Sequence, residues 1–466
     1  MSQPTQGTGA SLSSRAAMRA TIPIAIVAAV AGLLFGYDTG AISGAILFLK
    51  TDFHLSASSE EFVVAAVLVG AVLGAMAGGP LADRFGRRKM IIAAAIVFAA
   101  AAISTALAPT LGLLVAGRVG VGLAIGVASF TAPLYISEIA PAKIRGALVS
   151  LNQLALTSGI VLSYLIDYLF AKNGDWRGMF GVAAIPATIL LVGMVLLPES
   201  PRWLLEHGRE KQAEKVLVRL HDDVRKEIAE IDRSIGPKSP GSSSLWAPAL
   251  RPALIVGIGL AIFQQITGIN TIIYYAPTIF EMAGVHSATV SILATVGVGM
   301  VNVLMTIVAI RLIDKVGRRP LLLTGTAGMV VSLGMLGLVF HLHNISGILA
   351  WVTAASLMIY VASFAVGLGP VFWLLISEIY PLAVRGRAMS LATVMNWAAN
   401  LLVALTFLSL IQWAGRGNTF WIYGIIGLGT WIFAYKLVPE TKGRSLESIE
   451  KEWTHKQAPE QGTTPT

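Results

Sequence analysis

The chain of 466 residues contains no cysteine. That absence excludes disulfides, thiolate metal sites and cysteine nucleophiles. Charge is scarce too. Asp, Glu, Lys and Arg make up 13% of the residues, against about 25% in soluble domains. The scarcity is concentrated: 62–82, 90–117, 252–280, 344–377 and 388–415 hold no charged residue at all. A soluble core cannot hide so many runs at or beyond the ~20 residues that cross a bilayer. Histidine is missing from the middle of the runs. His54, His207, His221, His286, His341, His343 and His455 fall in loops, tails or span ends. No cluster calls for a metal or an organic cofactor, and neither is expected.

What remains is 55% hydrophobic, with a mean hydropathy of +0.74. The periodicity predicts an all-α membrane protein with twelve spans, near 22–43, 62–82, 90–110, 113–135, 147–170, 178–197, 252–276, 289–311, 320–340, 348–374, 387–411 and 417–437. Lys50, Lys172, Arg177 and Arg416 follow odd-numbered spans, and Arg118 lies inside one. The other 29 of the 34 Lys and Arg sit on the opposite side. The positive-inside rule then puts both termini in the cytoplasm. The net charge of +9 reflects this bias, so no nucleic-acid partner is expected; the partner is the lipid bilayer. No small-residue cleavage pattern follows the first apolar run, so no cleavable signal peptide is expected.

Three charged phrases occur twice, in the same order, shifted by roughly 240 positions. Asp83-Arg84-x-Gly86-Arg87-Arg88 returns as Asp314-Lys315-x-Gly317-Arg318-Arg319. Ser137-Glu138-Ile139-x-Pro141-x-x-x-Arg145-Gly146 returns as Ser377-Glu378-Ile379-x-Pro381-x-x-x-Arg385-Gly386. Pro198-Glu199-Ser200 returns as Pro439-Glu440-Thr441. A duplicated half follows: two pseudo-symmetric six-helix bundles, 21–198 and 251–438. A cytoplasmic tail (1–20), a helical linker (199–250) and a C-terminal segment (439–466) complete the expected organisation. In the linker, Ala213, Val216, Leu217, Leu220, Val224, Ile228 and Ile231 recur at helical spacing among charges, which predicts amphipathic helices. The Gly- and Ser-rich stretch 236–244 reads as a breaker. Same-orientation halves are a pattern of secondary transporters, whose substrate site lies near the midplane.

Ionisable residues inside spans are costly and need a reason. Asp38 in the first span and Arg118 in the fourth belong to one half, so they can pair. Pairing keeps Asp38 charged, and losing the partner or drying the site favours its protonation. The alternative is a static ion pair that locks two helices. Uncharged amides lie at depth: Gln153, Gln264, Gln265, Asn270, Asn302, Asn396 and Asn400. Amides donate and accept, which suits neighbouring hydroxyls. Phe35, Tyr274, Tyr275, Trp373 and Trp397 offer flat faces for a sugar ring. With no deep cluster of positive charge, a neutral polyol fits better than an anion. The alternative is that the amides glue helices together. Gly367-x-Gly369-Pro370 predicts a break in the tenth span, beside Trp373. The repeated charges (Asp83, Arg87, Arg88, Glu138, Arg145, Glu199 and Asp314, Arg318, Arg319, Glu378, Arg385, Glu440) sit at cytoplasmic helix ends. They are expected to form a latch of salt bridges between the halves.

The motifs Gly79-x-x-x-Asp83-Arg84-x-Gly86-Arg87-Arg88, Pro198-Glu199-Ser200-Pro201-Arg202, Gln264-Gln265-x-x-Gly268-x-Asn270 and Pro439-Glu440-Thr441-Lys442-Gly443 resemble those of the sugar porter family of the major facilitator superfamily, over about 20–453. The resemblance implies that Asp38 is the protonation site, paired with Arg118. It implies sugar ligands at Gln153, Gln264, Gln265, Asn270, Asn302, Trp373 and Asn396, with Asn400 and Phe35 nearby. Xylose transporters of this type carry Gln where this chain has Ile160, so the resemblance leans toward a hexose. Two departures stand out: Ile310 replaces Gly79 in the second copy of its motif, and Ala365 replaces an acid found in passive glucose carriers. The expected protein is not an enzyme. It is a monomeric proton-coupled hexose symporter of a bacterial inner membrane, working by alternating access. Passive facilitation, or symport of a pentose or inositol, stays open, and an antiporter for hydrophobic drugs would not need the amides.

Overall fold

In the computed structural model the described residues are 9–141, 144–220, 248–342, 347–380 and 384–443, with 224–225, 228–229 and 245–246 in the linker. They form helices and turns, with no strand among them. The first half runs α1 (Gly9–Asp52), α2 (Ala57–Phe85), α3 (Arg87–Ala106), α4 (Leu111–Ile139), α5 (Arg145–Ala171), α6 (Trp176–Gly181) and α7 (Ala184–Leu196). Two short helices follow, α8 (Pro201–Glu206) and α9 (Glu210–Leu220). The second half runs α10 (Arg251–Ile266), α11 (Ile269–Met282), α12 (Ala288–Val316), α13 (Arg318–His341), α14 (Gly347–Val366), α15 (Leu368–Ile379), α16 (Arg385–Ala404), α17 (Phe407–Ala414) and α18 (Arg416–Leu437).

Eleven spans are long and apolar enough to cross a membrane; counting the pair α16–α17, bent by 43°, as one more gives twelve. The chain clusters into two compact units, Met1–Lys238 with Ile273–Thr278 and His286–Gly299, and Ser239–Ile272 with Ile279–Val285 and Met300–Thr466. Helix α1 begins at Gly9, so much of the stretch expected as a tail extends the first span. The amphipathic linker is realised over α9, where Ala213, Leu217 and Leu220 are buried and Ala213 packs with Trp203 and Leu204. The predicted breaker 236–244 lies outside the described residues.

Local chemistry sets the helix ends. Ser56, Thr110 and Ser200 accept from backbone amides three residues on, as N-caps do. Pro201 occupies the first position of α8, where its missing N–H is harmless. Gly268, at φ +93°, separates α10 from α11, a conformation that favours glycine. Gly367 separates α14 from α15 as the Gly-Pro signal predicts.

Within the first half, glycines bring backbones together. A Cβ on Gly122 of α4 would stand 1.9 Å from the Val67 carbonyl of α2, and one on Gly36 of α1 would stand 1.8 Å from the Leu156 carbonyl of α5. Lipid supplies no hydrophobic drive between helices, so close van der Waals approach of small residues does. This packing fixes α1 against both α4 and α5, and so positions the charges that α1 carries.

Candidate functional site

In the first unit, α1 and α4 bring Asp38 and Arg118 together. Arg118 Nη1 donates to Asp38 Oδ1 at 2.6 Å, and the two side chains are 0% and 6% exposed. Arg118 also lies over the Phe180 ring, 5.4 Å from its centroid. Its Nε and Nη2 have no hydrogen-bond partner among the described residues. Beside the pair is a small cavity walled by Tyr37, Asp38, Phe98, Thr105, Phe180 and Ala183. Charges taken from water this far cost several kcal/mol each, and only mutual attraction offsets that. Two guanidinium nitrogens without protein partners leave the offset incomplete. Phe35 and Gln153 are half-buried in this unit, and Tyr274 is buried.

In the second unit, four amides form one network around the break between α10 and α11. Gln264 Nε2 donates to the Leu368 and Gly369 carbonyls at 3.1 and 3.2 Å, which ties α10 to the start of α15. Gln264 Oε1 accepts from Gln265 Nε2 at 3.3 Å and from Asn396 Nδ2 at 2.7 Å. Gln265 Nε2 donates to Asn396 Oδ1 at 3.0 Å. Asn396 Nδ2 also reaches the Ala261 carbonyl at 2.9 Å. Asn270 Nδ2 donates to Gln265 Oε1 at 2.6 Å.

An amide has two donors and two acceptor sites. Gln264 has filled all four within the protein. In this conformation it organises the site and has nothing left for a sugar, which differs from the ligand role that the resemblance implies. Gln265 and Asn396 retain acceptor capacity only. Asn270 is half-buried and keeps one donor and both acceptor sites. Gln264 therefore acts as amide glue in this conformation, while Asn270 keeps the hydrogen-bonding capacity that the ligand alternative requires. Asn400, one turn from Asn396 on α16, and Asn302 of α12 are buried. Trp373 is 39% exposed, with its ring 4.8 Å from that of Phe372.

Among the described residues, the repeated charges form ion pairs inside each half. Arg87 pairs with Asp83 at 3.2 Å and with Glu138 at 3.0 Å. Arg318 pairs with Asp314 at 3.3 Å and with Glu378 at 2.8 Å. Glu199 Oε1 accepts from the Arg88 amide at 2.9 Å. Glu440 accepts from the Arg318 and Arg319 amides at 3.0 and 3.1 Å. Each glutamate thus caps, from far along the chain, a helix that begins right after a glycine. Gly86 and Gly317, at φ +101° and +106°, leave the space: a Cβ there would stand 2.3 and 2.6 Å from the glutamate oxygens. Arg88 Nη2 and Arg319 Nη2 complete the clasp by donating to the Val195 and Tyr435 carbonyls. Arg385 donates to the Tyr380 carbonyl at 3.0 Å, and Arg145 is exposed. The three repeated phrases recur together because each is one part of a single clasp.

Partial burial alone would raise the Glu440 carboxyl. The amides of Lys442, Arg318, Arg319 and Thr441 outweigh it and hold the group below its usual range. A carboxyl lowered by folding stabilises fully above its unfolded value of about 4.3, and loses that contribution as pH falls through the lower folded value. The protection factors of the Arg318 and Arg319 amides, which correct for the intrinsic pH dependence of exchange, should therefore fall on acidification below the unfolded carboxylate value. Glu440→Gln should exchange fast at every pH; unchanged slow exchange in that variant would remove Glu440 from the cap.

Sequence asymmetry is the missed signal elsewhere. Asp167 sits inside the expected fifth span and is fully buried, yet in the sequence a role falls to Asp38 alone among the acids within spans. The residue was visible as an acid in an apolar run.

Comparison with known proteins agrees with the fold and the motifs. The model of the family "Sugar (and other) transporter" matches residues 24–453. The D-xylose transporter of Levilactobacillus brevis is 44% identical over 427 residues, 91% of this chain and 93% of that protein. The galactose-proton symporter of Escherichia coli strain K12 is 42% identical over 439 residues, 92% and 94% of the two chains. Among solved structures, the proton:xylose symporter XylE of E. coli, bound to 6-bromo-6-deoxy-D-glucose, superposes with a TM-score of 0.79 at 36% identity, covering 94% of this chain and 99% of that one. A helical membrane chain with these clasps and this coverage is a transporter and not an enzyme: it belongs to the sugar porter family of the major facilitator superfamily.

Proposed function

We propose that the protein carries a monosaccharide, with a hexose preferred, together with a proton across a bacterial cytoplasmic membrane. The observation that carries the proton half of this reading is the Asp38–Arg118 pair, buried yet short of partners. A pair that served only to lock helices would be expected to satisfy its guanidinium. Similar proteins named as galactose-proton and proton:xylose symporters support it. The sugar half rests on Asn270, whose unused donor and acceptors suit vicinal hydroxyls. Buried Ile160 on α5 supports a hexose, through the resemblance that places Gln there in xylose transporters.

The working cycle follows from charge. With Asp38 ionised, Arg118 holds α1 to α4. Protonation removes the attraction and frees the helices to rearrange around bound sugar; return of the proton to the cytoplasm restores the pair. One copy of the chain suffices, with both termini cytoplasmic. A proton entering down 100 mV supplies about 2.3 kcal/mol. A tenfold sugar gradient costs about 1.4 kcal/mol, so one proton sustains a gradient of roughly one to two orders of magnitude.

Addition of sugar to a lightly buffered, energy-depleted cell suspension should make the medium alkaline, one proton per sugar. Uptake with no pH change would establish passive facilitation instead. Competition of unlabelled sugars against labelled glucose uptake orders the substrates; xylose outcompeting glucose would overturn the hexose preference.

A further inference from the structure

Asp167 of α5 is 0% exposed, and neither carboxyl oxygen has a hydrogen-bond partner among the described residues. It lies against α1, where Gly44 makes the room: a Cβ on Gly44 would stand 2.6 Å from both Asp167 Cβ and Oδ2. Ser43 Oγ, the adjacent polar group, also lacks a partner in hydrogen-bond geometry.

The groups around it supply no positive charge. From α1 comes the Tyr37 phenol, and from α5 itself Tyr164. These two hydroxyls already donate to the Met179 and Ile273 carbonyls. Arg118 of α4 is committed to Asp38. Beyond the end of α5, Asp175 accepts from the Gly178 amide, and Arg177 donates to the Ala108 carbonyl. At the end of α1, Asp52 accepts from Trp176 Nε1. The Gly44 backbone N–H of α1 is a donor near the carboxyl, outside good hydrogen-bond geometry. An ionised carboxylate with no cation and no better donor cannot be kept in such a place, whereas a carboxylic acid can. Asp38 and Gly44 are six residues apart on α1, which turns them to different faces at about 100° per residue. The two carboxyls therefore belong to different helix contacts.

We propose that Asp167 is a second proton-binding carboxyl of the first half, separate from the Asp38–Arg118 pair. It holds its proton while α1 and α5 are packed, and release of that proton to water parts them and stops transport at alkaline pH. The route out is short, because Asp167 stands one turn from the end of α5 at Ala171. This role rests on the transporter reading; the protonation state does not.

Two measurements on the full-length protein in liposomes test it. Infrared spectra at neutral pH should show the carbonyl stretch of a protonated carboxyl that is absent in Asp167→Asn and retained in Asp38→Asn. Sugar counterflow, which needs no driving force, should fall about tenfold per pH unit above one midpoint in Asp38→Asn, where Asp38 no longer titrates. In Asp38→Asn/Asp167→Asn the decline should vanish. Asp167→Ser, a smaller polar substitute, gives the same readouts if the asparagine variant does not fold. A band that survives in both Asp167 variants, or an alkaline decline that persists when Asp167 is replaced in the Asp38→Asn background, overturns the proposal. Absence of counterflow in the wild type would instead count against the transporter reading, leaving the infrared band to decide the proton on Asp167.

Discussion

Asp38→Asn should abolish sugar accumulation: a gradient of roughly one to two orders of magnitude should collapse to equality, while counterflow of labelled for unlabelled sugar continues. The neutral amide mimics the protonated acid, so the carrier can still cycle loaded but no longer spends a proton. A second effect is expected, because the substitution strands Arg118, whose side chain is completely buried. Removing one member of a buried pair costs about 3–5 kcal/mol, while replacing both is often neutral. Asp38→Asn should therefore lower the thermal midpoint, and Asp38→Asn/Arg118→Gln should recover much of it without recovering accumulation. That contrast separates coupling from folding. Cells of either variant that still concentrate sugar would falsify the proton assignment.

The amide network gives the next largest expectation, and it splits by residue. Asn270 has spare hydrogen-bonding capacity. Asn270→Ala should weaken sugar binding by about 5- to 150-fold, the cost of leaving sugar hydroxyls unpaired at about 1–3 kcal/mol, with little loss of stability. Gln264 has none to spare. Gln264→Ala should destabilise by a similar ~1–3 kcal/mol, because Gln265 and Asn396 lose buried partners. Thermal unfolding and sugar-binding titrations on the two variants check this. Equal losses of affinity with equal stability would return Gln264 to the role of direct ligand.

The spans were legible because a bilayer demands long uncharged helices and nothing else in a chain looks like them. The meeting of Asp38 and Arg118 was legible because burying either alone is too costly. The break at Gly367 was legible because proline and glycine act locally. The division of labour among Gln264, Gln265 and Asn270 was not, since it depends on which carbonyls the broken helices present. The caps that Glu199 and Glu440 make were not legible, because their partners are backbone amides, which carry no sequence signature. Asp167 was legible only as an acid in an apolar run, because its lack of a cation depends on which helix packs against α5.

The clasps also bear on how the chain is made. Arg88 and Glu199 are 111 residues apart, and Arg318 and Glu440 are 122 apart. Neither helix start can be capped by its glutamate until the last helix of its half has left the ribosome. Until then α3 and α13 each begin with unsatisfied amides behind a glycine. Closure of the first clasp therefore cannot precede emergence of α7, and closure of the second cannot precede emergence of α18.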